Sequence, residues 1–415
     1  VLCAQTLLAQ GPAWTGLQEV NPPAEPAPSS VIAVLGATLI DGTGAAAAQD
    51  SAVLVEGSRI TAVGARTEVS VPDGAVRVDA AGLYLLPGML DAHFHTSNPE
   101  RLTKLLAAGF TSMRDPGKPL PFYDEALVSG GAMPRAFLTG PHFDQKPHAH
   151  PHNAVDLQTE AEVRRTVRAL HAKSVSAIKI YYRLPLDLIR TTCEAADELA
   201  IPVTAHLELV RADDAIRAGL DGIEHVTSLG TALADEADAR HFERGVQADN
   251  DFRRDGRYWL WSRLDFDDNP KVAALLELML ERGVYLTPTL RPFEVRKGDK
   301  GVTAEKLAGF AKMKEFTAIA ARAGVPIVAS SHGPTPEAIW RDLELLVDAG
   351  LSPAEAIESA THVAARFFGA RERLGTIEVG RAADLVLLEG DPLEDVSAVR
   401  SVSRVMLNGR WIRGK

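Results

Sequence analysis

Eight short apolar runs recur through the middle of this chain, most of them separated by segments of helical periodicity, and this alternation limits the fold more than any other feature. The runs are YLLPGMLDAHFH (84–95), GFTSMRDPG (109–117), RAFLTGPHFD (135–144), SAIKIYYR (176–183), IPVTAHLE (201–208), DGIEHVTS (221–228), GVYLTPTL (283–290) and VPIVASSH (325–332). Between them, VDLQTEAEVRRTVRALHAK and LDLIRTTCEAADELA place apolar residues three and four apart. Ser352 and Pro353 supply an N-cap and a first-turn proline for a helix predicted over 353–367. Alternating strand and helix predicts a parallel sheet, and eight units predict a closed (β/α)8 TIM barrel. An open doubly wound sheet is the competing arrangement. The polar residues gather at the C-terminal end of each run, where barrel enzymes carry their sites.

The ends of the chain read differently. VIAVLGATLIDGTG, SAVLVEGSRITAVG and VRVDAAGLYLLPG are β-rich runs cut by glycine turns, and ADLVLLEGDP and SVSRVMLNGRWIRG near the C-terminus share that texture. Residues 31–86 and 371–415 are therefore expected to form one small β-sandwich from both ends, with the barrel over 87–370. Residues 232–270, rich in charge and holding Trp259 and Trp261, read as an insertion placed as a lid or rim. The first 30 residues read as a leader remnant and linker. Val1–Gln10 resembles the tail of an apolar export segment, which implies a periplasmic or secreted protein. A plain tail on a cytoplasmic protein is the alternative, and a lipid-attachment role for Cys3 stays open. NPPAEPAPSS (21–30) is an extended Pro-rich linker.

Composition narrows the partners. A net charge of −11 argues against nucleic acid or an anionic membrane surface. No apolar run reaches the length of a membrane span. Two cysteines build neither a disulfide framework nor a Cys-rich zinc site, but 12 histidines suffice for a metal centre. Their positions matter. His93 and His95 are two apart at the end of the first run, so they face one side. Lys179, His206, His225 and His332 end or nearly end the fourth, fifth, sixth and eighth runs. Six candidate ligands from five strands would meet at one barrel mouth. Imidazole suits Zn²⁺, Ni²⁺, Fe²⁺ or Mn²⁺, and zinc is the first expectation for one or two divalent ions.

Through LPGMLDAHFH, GFTSMRD, AIKIY, PVTAHLE, AGLDGIEH and LGTIEVGRAADLVLL, the chain from Val31 to Lys415 resembles the amidohydrolase superfamily, in its imidazolonepropionase-like and dipeptidase-like branch. The resemblance implies a (β/α)8 barrel with a flanking β-sandwich. It implies His93 and His95 on one metal, His206 and His225 on the other, and Lys179 bridging them as a CO2-derived carbamate. A neutral or salt-bridged Lys179 beside a single metal is the alternative. The activity implied is hydrolysis of an amide, peptide or cyclic amide C–N bond by metal-activated water; a lactone or other ester is a further candidate.

One departure from the family pattern is at strand eight. The pattern there is small-small-Asp, and this chain reads Ser330-Ser331-His332. Imidazole, with a reference pKa near 6.5, can act as general base at neutral pH. His332 is thus expected as base or ligand in a working hydrolase. Lyase or decarboxylase chemistry, or an impaired metal-binding centre, are the alternatives. His142, at the end of the third run, is a candidate to polarise the carbonyl, and His148, His150 and His152 follow it in a proline-rich loop. By resemblance, Tyr182 and Arg183 are candidates for binding a substrate carboxylate. Arg114 and Asp115 read as a structural salt bridge, His171, His241 and His362 as structural, and Cys193 as core. The expected partner is a small molecule; a homo-oligomer is left open.

Overall fold

A computed structural model of the chain describes residues 31–124 and 132–413; the leader, the linker and Cys3 lie outside the described residues. The chain divides into two compact units. One comprises Pro141–Pro288 and Val295–Ile327; the other comprises the described residues of Gln18–Gly140 with Thr289–Glu294 and Val328–Lys415.

The second unit contains the β-rich ends. Strands β1 (Ile32–Leu39), β2 (Ala48–Glu56), β3 (Arg59–Ala65), β4 (Val76–Asp79) and β5 (Tyr84–Pro87) share one sheet with three strands of the C-terminal segment, Leu385–Leu388, Val402–Leu407 and Arg410–Arg413. β1 and the 52–55 stretch of β2 are apolar on both faces. Val34, Val53 and Val55 pack with Leu85, Leu385 and Met406, while Ala33, Leu35, Ala52 and Leu54 form a second cluster. Strand alternation sends neighbouring residues to opposite faces, and the continuous apolar runs of the sequence reflect it.

The first apolar run does two jobs. After β5 the chain crosses Gly88 into β6 (Met89–Asp91), which pairs in parallel with β7 (Phe110–Asp115), itself paired with β8 (Arg135–Leu138). Only glycine fits this crossing, because a Cβ at position 88 would lie 2.1 Å from Thr111 Oγ1. The Gly88 amide donates to the Asp384 carbonyl at 2.7 Å.

The first unit holds a parallel sheet of β9 (His142–Asp144), β10 (Ala154–Asp156), β11 (Ile178–Ile180), β12 (Val203–Ala205), β13 (Gly222–Glu224) and β14 (Tyr285–Thr287). The expected helices lie between them. Thr159 caps Glu160–His171 through a reciprocal box with Glu162, and Leu186–Asp197 buries Ile189 and Cys193. The 232–270 segment is helical at Glu236–Ala248 and Phe252–Ser262. The latter helix lies against Ala304–Ala323, where a Cβ on Gly309 would come within 2.4 Å of the Tyr258 carbonyl. Trp261 is fully buried there.

Three expectations need correction. The third run is split, β8 in one sheet and β9 in the other, and β10 takes the first residues of the segment VDLQTEAEVRRTVRALHAK, read as helical, so that the helix begins only at Glu160. The eighth run forms no extended strand, only an isolated bridge at Ile327. A side chain interrupts its pairing: Ser331 N donates to Asp91 Oδ1 at 3.0 Å, while His332 N still reaches the His93 carbonyl at 2.7 Å. The helix expected over 353–367 breaks into Pro353–Ser359 and His362–Phe367. The Ser359 and Ala360 carbonyls at the break accept the Ala329 and Leu90 amides, so they leave the helical ladder.

Asp342 carries a testable cost. It is buried, its Oδ1 accepts the Arg291 amide at 2.9 Å, and burial pushes its carboxyl up to about 7. A carboxyl raised in the folded state contributes stability that is full below its unfolded value near 3.9 and lost as pH rises through 7. Asp342→Asn keeps the acceptor and removes the charge. Its stability relative to the wild type is expected to rise by roughly 1–3 kcal/mol between pH 5 and pH 8 in denaturant titrations. A difference that is flat across that range would contradict the assignment.

Candidate functional site

The candidate residues fall into two groups, one in each unit, and in each the strand ends deliver the side chains. In the second unit, Asp91 closes β6. Its Oδ1 accepts the backbone amides of His93 and Ser331, both at 3.0 Å. One buried carboxylate thus ties the HxH segment to the segment carrying His332. Burial pushes the Asp91 carboxyl up to about 6, against the pull of these hydrogen bonds.

His93 Nε2 and His95 Nε2 face each other at 2.9 Å, and the His332 ring lies 4.8 Å from that of His93 and 5.1 Å from that of His95. His332 is exposed to solvent and has φ +47°, a left-handed backbone that is uncommon outside glycine and that clusters at functional positions. His95 Nδ1 pairs with Asp115 Oδ1 at 2.7 Å, and Tyr123 OH donates to Asp115 Oδ2 at 2.5 Å. The salt bridge expected between Arg114 and Asp115 does not form. Asp115 receives His95 and Tyr123 instead, while Arg114 reaches the Ala92 carbonyl and lies over the Phe367 ring. A histidine whose second nitrogen is held by a carboxylate has the tautomer and orientation of a metal ligand. Two nitrogens at about 2.0–2.1 Å from one ion would sit roughly 3.3 Å apart in a tetrahedral site. The His93–His95 pair is close to that spacing, so these donors fit a divalent cation.

In the first unit, Lys179 on β11 is buried, with Nζ 3.7 Å from Glu224 Oε1. Glu224 closes β13 and is fully buried, and it accepts the hydroxyls of Thr204 and Thr287, each at 2.8 Å. Those two bonds give each carboxylate oxygen a donor besides Lys179. The next residue, His225, has φ +65°, like His332 a left-handed backbone. Its ring is 4.7 Å from that of His206. His206 Nε2 pairs with Glu208 Oε1 at 2.9 Å, and Arg257 Nη2 donates to the same oxygen at 3.0 Å. Burial raises the Glu208 carboxyl, while Arg257 and Arg253 pull it back.

His142 stacks on Tyr181, with centroids 4.5 Å apart and planes within 4°. Tyr181 is buried, which pushes its phenol up to about 12. His150 lies 5.6 Å from the Tyr181 ring, His148 Nδ1 pairs loosely with Asp144 Oδ2 at 3.4 Å, and His152 is exposed. Tyr182 OH donates to Asn250 Oδ1 at 2.7 Å. Arg183 is committed to structure at several points: its amide to Asp144 Oδ1, its Nε to Asn250 Oδ1, and its Nη2 to the Val246 carbonyl at 2.7 Å.

Sequence reasoning gives no role to Glu208, Glu224, Tyr123, Arg253 or Arg257. Glu208 has a visible signal, since it repeats the two-residue spacing of the HxH pair at a later strand end. Arg253 and Arg257, four apart on an insertion helix, have none beyond their shared helix face.

The sequence profile of the Amidohydrolase family matches residues 84–412. No curated protein sequence matches the chain. Among solved structures, a putative prolidase from Bifidobacterium longum is 25% identical at a TM-score of 0.70, covering 92% of this chain and 95% of its own. A prolidase complexed with N-methylphosphonate-L-proline is 23% identical at a TM-score of 0.70, covering 93% of this chain and 100% of its own. The A. niger ochratoxinase is 20% identical at a TM-score of 0.73, covering 93% and 96%. Below 25% identity these likenesses speak to the α/β fold alone.

Proposed function

The chain belongs to the amidohydrolase family, and from that premise we propose that it is a metal-dependent hydrolase of a C–N bond in a small-molecule substrate. The observation that carries the reading is the pair of carboxylate-oriented histidines, His95 on Asp115 and His206 on Glu208. A ligand histidine is commonly oriented by a carboxylate on its second ring nitrogen, and both histidines have one. The fold that accompanies this reading is a closed barrel over 87–370 with residues 31–86 and 371–415 as a composite β-sandwich.

We assign His93 and His95 to one ion and His206 and His225 to a second, with Lys179 as the bridging ligand in its carbamate form and zinc as the first candidate metal. Because Glu208 occupies Nε2 of His206, that histidine would ligate through Nδ1. Glu224 keeps its two threonine hydrogen bonds when Lys179 turns away, although carboxylation would remove the cation beside its buried charge. When bound, divalent ions in such a site lower the pKa of water and polarise a carbonyl. His332, on its left-handed backbone at the solvent-facing side of its group, accepts a proton as general base and passes it to the leaving nitrogen. His142, held flat against Tyr181, donates to the substrate carbonyl oxygen. Tyr182 and Arg183 border the substrate.

Zinc-reconstituted protein is expected to hydrolyse members of a library of dipeptides, N-acyl amino acids, cyclic amides and lactones. Silence across that library at full metal occupancy would overturn the hydrolase reading and favour a binding or lyase role. His332→Ala is expected to lower kcat and flatten the acidic limb of its pH profile; unchanged turnover would remove His332 from the chemistry.

A further inference from the structure

The helix Phe252–Ser262 of the insertion sends two arginines toward the ends of β11 and β12. Arg257 is matched, donating to Glu208 Oε1 at 3.0 Å. Arg253 is not. It is 8% exposed, its Nε is buried without a hydrogen-bond partner, and no ion pair joins it to any carboxylate among the described residues. Its guanidinium lies over the Tyr182 ring, 5.3 Å from the centroid. It interacts electrostatically with Tyr181, Glu208 and Tyr182, and its one side-chain hydrogen bond is with the neutral Tyr182 phenol, which brings no counter-charge. Two buried cations therefore share one buried anion. That leaves one positive charge uncompensated beside the aromatic wall formed by Tyr181, Tyr182 and His206, whose rings lie 4.8–5.8 Å apart. A buried guanidinium with an idle donor is costly unless an anion completes it.

Arg183, the sequence candidate for this duty, is held by Asn250 and Val246, and so anchors the insertion. The Arg253 Nε is the donor left open, with Tyr182 as the platform of its guanidinium.

We propose that Arg253 is the specificity-determining residue that receives a carboxylate of the substrate, delivered by the insertion rather than by the strand that carries Lys179. This rests on the hydrolase reading for its substrate class, but the binding event does not require turnover. Substrates or products ending in a free carboxylate are selected, and their primary amides are rejected because they leave the arginine unmatched.

Calorimetry on the full chain, using N-acetyl amino acids and their primary amides as probes, tests this directly. The wild type is expected to bind the acid on the order of 10- to 100-fold more tightly than the amide. Arg253→Met is expected to erase that ratio, and Arg253→Lys to retain part of it, which also controls for folding. An Arg253→Met protein that keeps the full acid-over-amide ratio would overturn the proposal, as would a wild type that binds neither probe or both equally. Turnover is read separately on the same panel. Hydrolysis without acid-over-amide discrimination overturns the role of Arg253 and leaves the hydrolase intact. Discrimination that depends on Arg253, without hydrolysis, supports Arg253 and overturns the hydrolase.

Discussion

Replacing His206 with alanine is expected to lower turnover on the best library substrate by on the order of 10³-fold, the scale of losing one preorganised electrostatic contact or more. The reason is local. His206 is buried, its ring is locked by Glu208, and Glu208 is in turn fixed by Arg257. Loss of the imidazole would remove the proposed ligand and leave the buried Glu208, whose Oε2 already lacks a partner, to Arg257 alone. The milder Glu208→Gln keeps the shape but weakens the grip on Nε2. It should lower metal affinity by roughly 10- to 100-fold while leaving the residual metal-loaded enzyme active. Competitive chelation with metal analysis and rate measurement separates the two effects. If His206→Ala retained both its metal and its turnover, His206 would be an ordinary core histidine.

The second large effect concerns stability. Asp384→Ala is expected to destabilise the chain by about 3–5 kcal/mol, because it leaves a buried cation without its anion. Arg135 and Asp384 form a forked pair at 2.9 and 3.2 Å, each side chain 5% exposed, joining β8 to the segment leading into the C-terminal strands. Asp384 Oδ1 also accepts the Asn408 amide at 2.7 Å, so that donor would be orphaned too. Arg135→Met combined with Asp384→Leu should recover most of the loss, since removing both charges spares the desolvation cost. Denaturant midpoints for the single and double variants check this. A single-variant loss below about 1 kcal/mol would mean that the pair is solvated in solution.

Much of the architecture is legible in the sequence because it depends on period and position. Strand runs with β-branched and aliphatic residues, a capping box at Thr159–Glu162, and a Ser-Pro helix start at 352–353 are local signals, and the elements lie where those signals place them. The histidines at strand ends are legible for the same reason, as i, i+2 geometry survives any detail of packing. The illegible part depends on contacts far apart in sequence. Ser331 gives its amide to the Asp91 side chain, 240 residues away, and so interrupts the backbone bonds by which Ala329 and His332 meet the first run. Asp115 orients His95 rather than pairing with Arg114, which only the placement of β7 beside β6 decides. Arg253 and Arg257 look like solvated helix charges until the insertion folds back on the ends of β11 and β12.

The most direct test of metal dependence is the divalent metal content per chain, measured by plasma mass spectrometry on protein purified without chelator or a histidine tag. About two ions per chain, with uptake restored after stripping, is the expected result for the two histidine pairs bridged by Lys179. No bound metal, and no uptake when Zn²⁺ or Mn²⁺ is added, would contradict it and reduce the histidine constellation to a structural cluster.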